Sequence, residues 1–181
     1  MSGALITYGR SRLALRNSAV RIPFRYGSAC LTRCPQAMLE VILEVDGKEQ
    51  VGYSADCLPP SWFDKSPDKA YSQQIRDMVD VIELSERVFE AEFSTPTNCF
   101  DGWLSSLAAV QEEGANRGWS PLLSSFGVSM VERAMLDAAA RRHGKSFSQA
   151  LRGGLYGIRP GEVHLELAGS DPSEWLPARP A

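Results

Sequence analysis

The clearest pattern in the chain is an alternation of apolar and polar residues between positions 38 and 46. Leu39, Val41, Leu43 and Val45 fall on one side, with Glu40, Glu44 and Asp46 on the other. A period of two is that of a half-buried strand. Asp46-Gly47 follows, a pair that readily takes the positive φ angles of a tight hairpin, and a return strand is predicted over Glu49 to Ala55, with Val51 and Tyr53 on a shared face. An earlier strand is expected around Ser11 to Arg16, where Leu13 and Leu15 alternate with Arg12, Ala14 and Arg16. Between them, from about Asn17 to Pro35, lies a connection carrying Arg21-Ile-Pro-Phe-Arg-Tyr-Gly27. It reads as a long loop, and loops of that length are usually functional or disordered. A second irregular stretch, Cys57-Leu-Pro-Pro-Ser-Trp-Phe63, contains two consecutive prolines that forbid a regular ladder.

From Ser66 the period becomes helical. Ser66 is an N-cap candidate with Pro67 at the first helical position, and Ile75, Val79, Ile82 and Phe89 form an apolar stripe. Thr95-Pro96-Thr97-Asn98 interrupts it, and a second helix is expected to run to about Glu113 and stop at Gly114. Ser120-Pro121 starts a third, with Arg133 and Asp137 at i, i+4 and Gly144 just past its end. A short helix over Ser146 to Arg152 follows. From Ile158 onward, four prolines (Pro160, Pro172, Pro177, Pro180) and weak periodicity read as linker. The predicted fold is α+β: a three-stranded antiparallel meander followed by a bundle of three to four helices.

At 181 residues, 44% hydrophobic and 23% charged, the chain has the composition of one globular domain with a tail. No run of eighteen apolar residues appears, so no membrane span is expected, and four cysteines without a CxxC pair suit a reduced, cytoplasmic protein. The net charge of −3 conceals an asymmetry: six arginines (Arg10, Arg12, Arg16, Arg21, Arg25, Arg33) precede the first acid, Glu40. Such a start has the composition of a transit peptide or a nucleic-acid arm. Pro23, Pro35 and the strand-like alternation oppose the first. Scarce lysine and an acidic remainder oppose the second, so no nucleic-acid partner is expected. An anion-friendly surface at one sheet edge is the expectation that remains.

The residues Arg21-Ile-Pro-Phe-Arg-Tyr-Gly27, Glu44-Val-Asp-Gly47, Gly52-Tyr-Ser-Ala55 and Val131-Glu-Arg-Ala-Met-Leu-Asp-Ala138, with Gly144 and Phe147 beyond, occur in the order seen in one family. The chain resembles the N-terminal capping domain of the enolase superfamily, in its mandelate racemase and muconate lactonizing branch. The resemblance implies a cap over residues 1–155 and a linker over 156–181 that would lead into a catalytic barrel. It also implies a function in which a magnesium ion, held by the barrel, stabilises the enediolate formed when an α-proton is taken from a carboxylic acid. In that family the metal ligands and bases lie on barrel strands, so no catalytic and no metal-binding residue is expected in this chain. A barrel needs at least about 200 residues, and 37 follow Gly144. The chain alone is therefore expected to be inactive and truncated before its barrel, which would be missing or on another chain.

What the resemblance does assign is a lid. Two cap loops fold over the barrel mouth, exclude water and read the part of the substrate away from the carboxylate; by position they match the stretches carrying Arg21, Phe24, Arg25 and Tyr26, and Trp62 and Phe63. The alternative role is that of a free-standing binding or interaction module, or half of a split enzyme. A cap without its barrel is expected to expose the apolar arc of the third helix (Met130, Val131, Met135, Ala138 to Ala140) and to form a homodimer through it. The two histidines, His143 and His164, have no partners at metal-ligand spacing. Glu132 and Asp137 diverge around their helix and are expected to be structural. Arg152-Gly-Gly-Leu-Tyr-Gly157 lacks the strand and helix that a phosphate loop requires.

Overall fold

A computed structural model describes residues 3–27, 29–66 and 68–177. Expectations placed on Pro67, Pro180 and the Tyr26 side chain fall outside the described residues. The chain folds as α+β. Its strands are β1 (Leu5–Arg16), β2 (Ala19–Tyr26), β3 (Ala29–Arg33), β4 (Gln36–Val45), β5 (Lys48–Cys57) and β6 (Thr97–Asn98). The helices are α1 (Tyr71–Glu92), α2 (Cys99–Asn116), α3 (Pro121–Arg142), α4 (Phe147–Arg152) and α5 (Pro172–Trp175). One antiparallel sheet has the order β5-β4-β1-β6, and β2 with β3 forms a separate two-stranded ribbon.

The alternation along β4 sets the core. Ala37, Leu39, Val41, Leu43 and Val45 are each at most 1% exposed, and α3 packs across β4 and β5 while α1 lies against β1. The turn between β4 and β5 adopts the expected positive φ at Asp46 (50°) and Gly47 (72°). Ser120 caps α3 by accepting from Leu123 N–H at 3.2 Å, with Pro121 at the first turn. Ser146 and Gln149 close a capping box at α4.

Several expectations are corrected. Residues 19–33 are not a loop but the β2–β3 ribbon. The first helix starts at Tyr71 rather than Ser66; Ser66 instead lies in a local turn, its amide donating to Asp64 Oδ1 at 2.9 Å. The second helix passes through Gly114, which packs against Ser124, and ends at Asn116 before Gly118 at φ 74°. Arg133 does not pair with Asp137; it reaches Asp56 at 3.0 Å, while Asp137 takes Arg141 at 2.6 Å.

The largest correction concerns α3. Met130, Val131, Met135, Ala138, Ala139 and Ala140 are all buried within this chain, against the sheet and helices α1 and α2. A helix that is apolar over so wide an arc is a central helix, so the expected exposed face for a homodimer is absent. At the far end of the core, Tyr156 is 1% exposed, its hydroxyl 3.4 Å from the Leu136 carbonyl. Ala4 N–H donates to Leu155 O at 2.8 Å and Phe100 N–H to Tyr156 O at 3.2 Å. Beyond it, α5 is held by Arg152, which donates to the carbonyls of Ser173 (3.1 Å) and Leu176 (3.0 Å).

Candidate functional site

The two stretches singled out in the sequence leave the sheet side by side. Gln36 and Cys57 form the final pair of the β4–β5 ladder, and Leu58 N–H then donates to Pro35 O at 2.8 Å. Upstream of Pro35 runs the ribbon; downstream of Leu58 runs a single 3-10 turn, Pro60–Trp62. Arg21, Phe24 and Arg25 on the ribbon, and Trp62 on the turn, are thereby brought to one end of the sheet.

Residues 21–25 are all exposed, Phe24 by 59% and Ile22 by 69%. At the base of the ribbon, Cys34 N–H donates to Ser18 O at 3.0 Å and the Tyr71 hydroxyl to Arg33 O at 3.1 Å. Trp62 is 59% exposed. Phe63 points the other way: its ring lies 4.9 Å from that of Phe126 on α3, and Ser120 Oγ donates to its carbonyl at 3.2 Å. Of the two aromatics, Phe63 fastens the turn to the core and Trp62 faces outward. A two-stranded ribbon is marginally stable by itself. Amides of residues 19–22, 24–25 and 29–33 are expected to exchange with solvent at least about a hundredfold faster than those of Val41 and Leu43, a gap of ~3 kcal/mol in opening free energy. Equal protection, measured by hydrogen-exchange mass spectrometry, would show the ribbon to be part of the rigid body.

The connection after the turn is anchored by charge. Lys69 bridges Asp64 (2.9 Å) and Asp77 of α1, and Gln73 Nε2 donates to the other Asp77 oxygen at 3.0 Å. The Ser66 hydroxyl and amide, helped by Lys69, pull the Asp64 carboxyl down to about 2. The remaining ion pairs lie within the helices and the tail or join them to β5 and the hairpin turn, leaving Arg21 and Arg25 without one among the described residues. A guanidinium so placed can accept a carboxylate through two parallel hydrogen bonds.

Elsewhere the chemistry is structural. His143 Nε2 sits 3.0 Å from Asp46 Oδ2, joining the end of α3 to the hairpin turn. Asp137 accepts from Tyr53 N–H at 3.0 Å as well as from Arg141. Burial raises the Glu132 carboxyl, offset by a hydrogen bond from the Trp103 indole, beside a small apolar cleft of about 180 Å³. No spacing in the sequence announces that pairing. A cleft of about 560 Å³ runs between Gly3, Asn98 and the tail; its charged groups Arg159 and Glu162 pair with each other, and Arg159 also with Asp101. Among the described residues no three acidic, histidine or cysteine side chains gather as metal ligands would, and no helix is long and apolar enough to cross a membrane.

No protein-family model matches this chain, and no curated protein sequence does. Solved structures do match it. An enolase from Bradyrhizobium, complexed with magnesium and mandelic acid, aligns over 83% of this chain and 35% of its own, with a TM-score of 0.51 and 17% identity. A mandelate racemase/muconate lactonizing enzyme-like protein from Rubrobacter xylanophilus aligns over 81% and 33%, with a TM-score of 0.53 and 17% identity. An enolase from the alpha proteobacterium bal199, with bound magnesium, aligns over 89% and 41%, with a TM-score of 0.53 and 14% identity. The chain thus spans a third to two fifths of the length of these enzymes. What it shares with them is a fold, the α+β arrangement of an enolase-type N-terminal domain.

Proposed function

We propose that this chain acts as the substrate-covering cap of a magnesium-dependent enzyme that abstracts the α-proton of a carboxylic acid, as a racemase, dehydratase or cycloisomerase does. The carrying observation is positional: two exposed segments, bearing Arg21, Phe24, Arg25 and Trp62, spring from one root on a fold shared with enzymes more than twice as long. In this reading the cap occupies residues 1–155, and the segment from 156 leads toward a barrel that holds the magnesium and the base. Arg21, Phe24 and Arg25 contact the part of the substrate away from its carboxylate, Trp62 helps to exclude water, and Phe63 holds the Trp62 turn in place. The described residues do not fit a magnesium site, so no step of the chemistry is assigned to them. A homodimer through α3 is no part of the proposal, since that helix is buried.

The test is proton exchange in deuterium oxide, followed by NMR. The isolated chain with magnesium and mandelate, or other 2-hydroxy acids, is expected to give no exchange above background. A polypeptide carrying the barrel, added in trans or joined to the chain, should bring exchange, and Arg21→Ala or Arg25→Ala should then raise KM about tenfold, the equivalent of ~1.4 kcal/mol of ground-state binding, with kcat little changed. Exchange catalysed by the chain alone would move the chemistry into the cap and overturn the assignment.

A further inference from the structure

We propose that Cys34 and Cys57 form an oxidisable dithiol whose disulfide joins the root of the β2–β3 ribbon to the end of β5. The two residues are 23 apart in sequence but meet in space. Cys57 closes β5 directly opposite Gln36, whose side-chain Nε2 is 4.0 Å from Cys57 Sγ. Cys34 stands two residues before Gln36, diagonally across the end of the ladder from Cys57, and the Cys57 thiol is one of the groups that push its own upward. The backbone is tied on both sides of the pair: Ser18 Oγ donates to Cys34 O at 2.5 Å, and Leu58 N–H donates to Pro35 O at 2.8 Å. Both cysteines are free thiols in this structure. Diagonal neighbours on a ladder stand ~7–8 Å apart, and a disulfide needs its Cα atoms within about 7 Å and its sulfurs at about 2.0 Å, so bond formation draws the end of the ladder together.

The two thiols are unequal. Cys57 is half-buried and reachable by a small oxidant, whereas Cys34 is 4% exposed. Burial and the neighbouring Cys57 push the Cys34 thiol up to about 11, so it stays protonated at neutral pH. The order of events follows for a peroxide oxidant. The Cys57 sulfur attacks hydrogen peroxide, the O–O bond breaks, and Cys57 becomes a sulfenic acid with release of water. The Cys34 sulfur then attacks the Cys57 sulfur; the S–S bond forms, the S–O bond breaks, and the hydroxide leaves with the Cys34 proton as a second water. Two thiols and one peroxide yield one disulfide and two waters. The product fixes the ribbon and the Pro60–Trp62 turn to a common covalent anchor. This holds whether or not those segments cover a substrate.

The test uses the purified, reduced chain, one equivalent of hydrogen peroxide, alkylation of remaining thiols under denaturing conditions, and peptide mapping. Trypsin, cutting after Arg33, Lys48 and Lys65, puts Cys30, Cys34 and Cys57 on three separate peptides. The expected result is a linked pair of the Cys34 and Cys57 peptides, abolished by reductant, with Cys30 and Cys99 alkylated. Cys34→Ser and Cys57→Ser should each remove the two-hydrogen loss of intact mass, but the wild-type map decides without them. Alkylation of both Cys34 and Cys57, oxidation confined to the exposed Cys30, or a Cys57 sulfinic acid beside an alkylated Cys34 would each overturn the proposal.

Discussion

Replacement of Gly52 by alanine is expected to weaken the fold by about 3 kcal/mol or more, among the largest effects of any single methyl group in this chain. Gly52 sits on the inward face of β5, where α3 crosses the strand at backbone contact. A Cβ there would fall 2.1 Å from Ala134 O, 2.7 Å from Ala138 N and 2.8 Å from Ala138 Cβ. Two of those three atoms are main chain, so no side-chain rotation relieves the clash and the helix itself must lift from the sheet. Lifting it disturbs Met130, Val131 and Ala134, which lie at the centre of the core. Urea denaturation followed by circular dichroism measures the effect. Ala55→Ser, at an exposed position on the same strand, should stay within about 0.5 kcal/mol and serves as the control. A midpoint unchanged in Gly52→Ala would mean that α3 does not approach β5 this closely.

Lys69→Met is expected to cost about 3 kcal/mol for a different reason, the removal of one member of a buried charge cluster. Asp77 is 6% exposed, and without Lys69 its carboxylate keeps only the Gln73 amide. Lys69 also holds Asp64, so its loss frees the connection that carries Trp62 from α1. The second change Asp77→Asn, which removes the stranded charge, should recover most of the lost stability; if it recovers none, packing rather than charge set the effect. Acid tests the same cluster. The Asp64 carboxyl is held at about 2 by the Ser66 hydroxyl and amide and by Lys69, below the ordinary value near 4. A group depressed in this way lends its stabilisation fully above the unfolded value and loses it as pH falls through the folded one. Thermal unfolding of the wild type should therefore decline from about pH 4 toward pH 2, and Asp64→Asn should flatten that slope.

The sequence makes some of this molecule plain and hides the rest for physical reasons. The β4–β5 hairpin is legible because one face is buried and the other wet, and because Asp46-Gly47 needs a positive φ. The α3 and α4 starts are legible because Ser120 and Ser146 cap by contacts within three residues. The β2–β3 ribbon is not, since residues 21–25 are exposed on both faces and leave no alternation to read. The start of α1 is misplaced, Ser66 lying instead in a local turn with Asp64. Arg133 has two acids within reach, and only the approach of β5 to α3 selects Asp56 over Asp137. In the candidate site, the ribbon and the Trp62 turn can be picked out singly as unusual stretches. Their common root at Pro35 and Leu58, like the meeting of Cys34 with Cys57, depends on strand register, which no local pattern carries.

The strand β1 is flanked by partners drawn from distant parts of the chain: β4 on one side, β6 on the other, and Leu155 at its start. On a ribosome, the β1–β4–β5 sheet is complete once Cys57 has emerged, yet its apolar face waits for α3 and for Tyr156. At roughly 5–20 residues per second, that wait lasts on the order of ten seconds. For that interval Leu39, Val41 and Leu43 stand uncovered in the nascent chain, and they are the surface that a ribosome-associated chaperone would meet first.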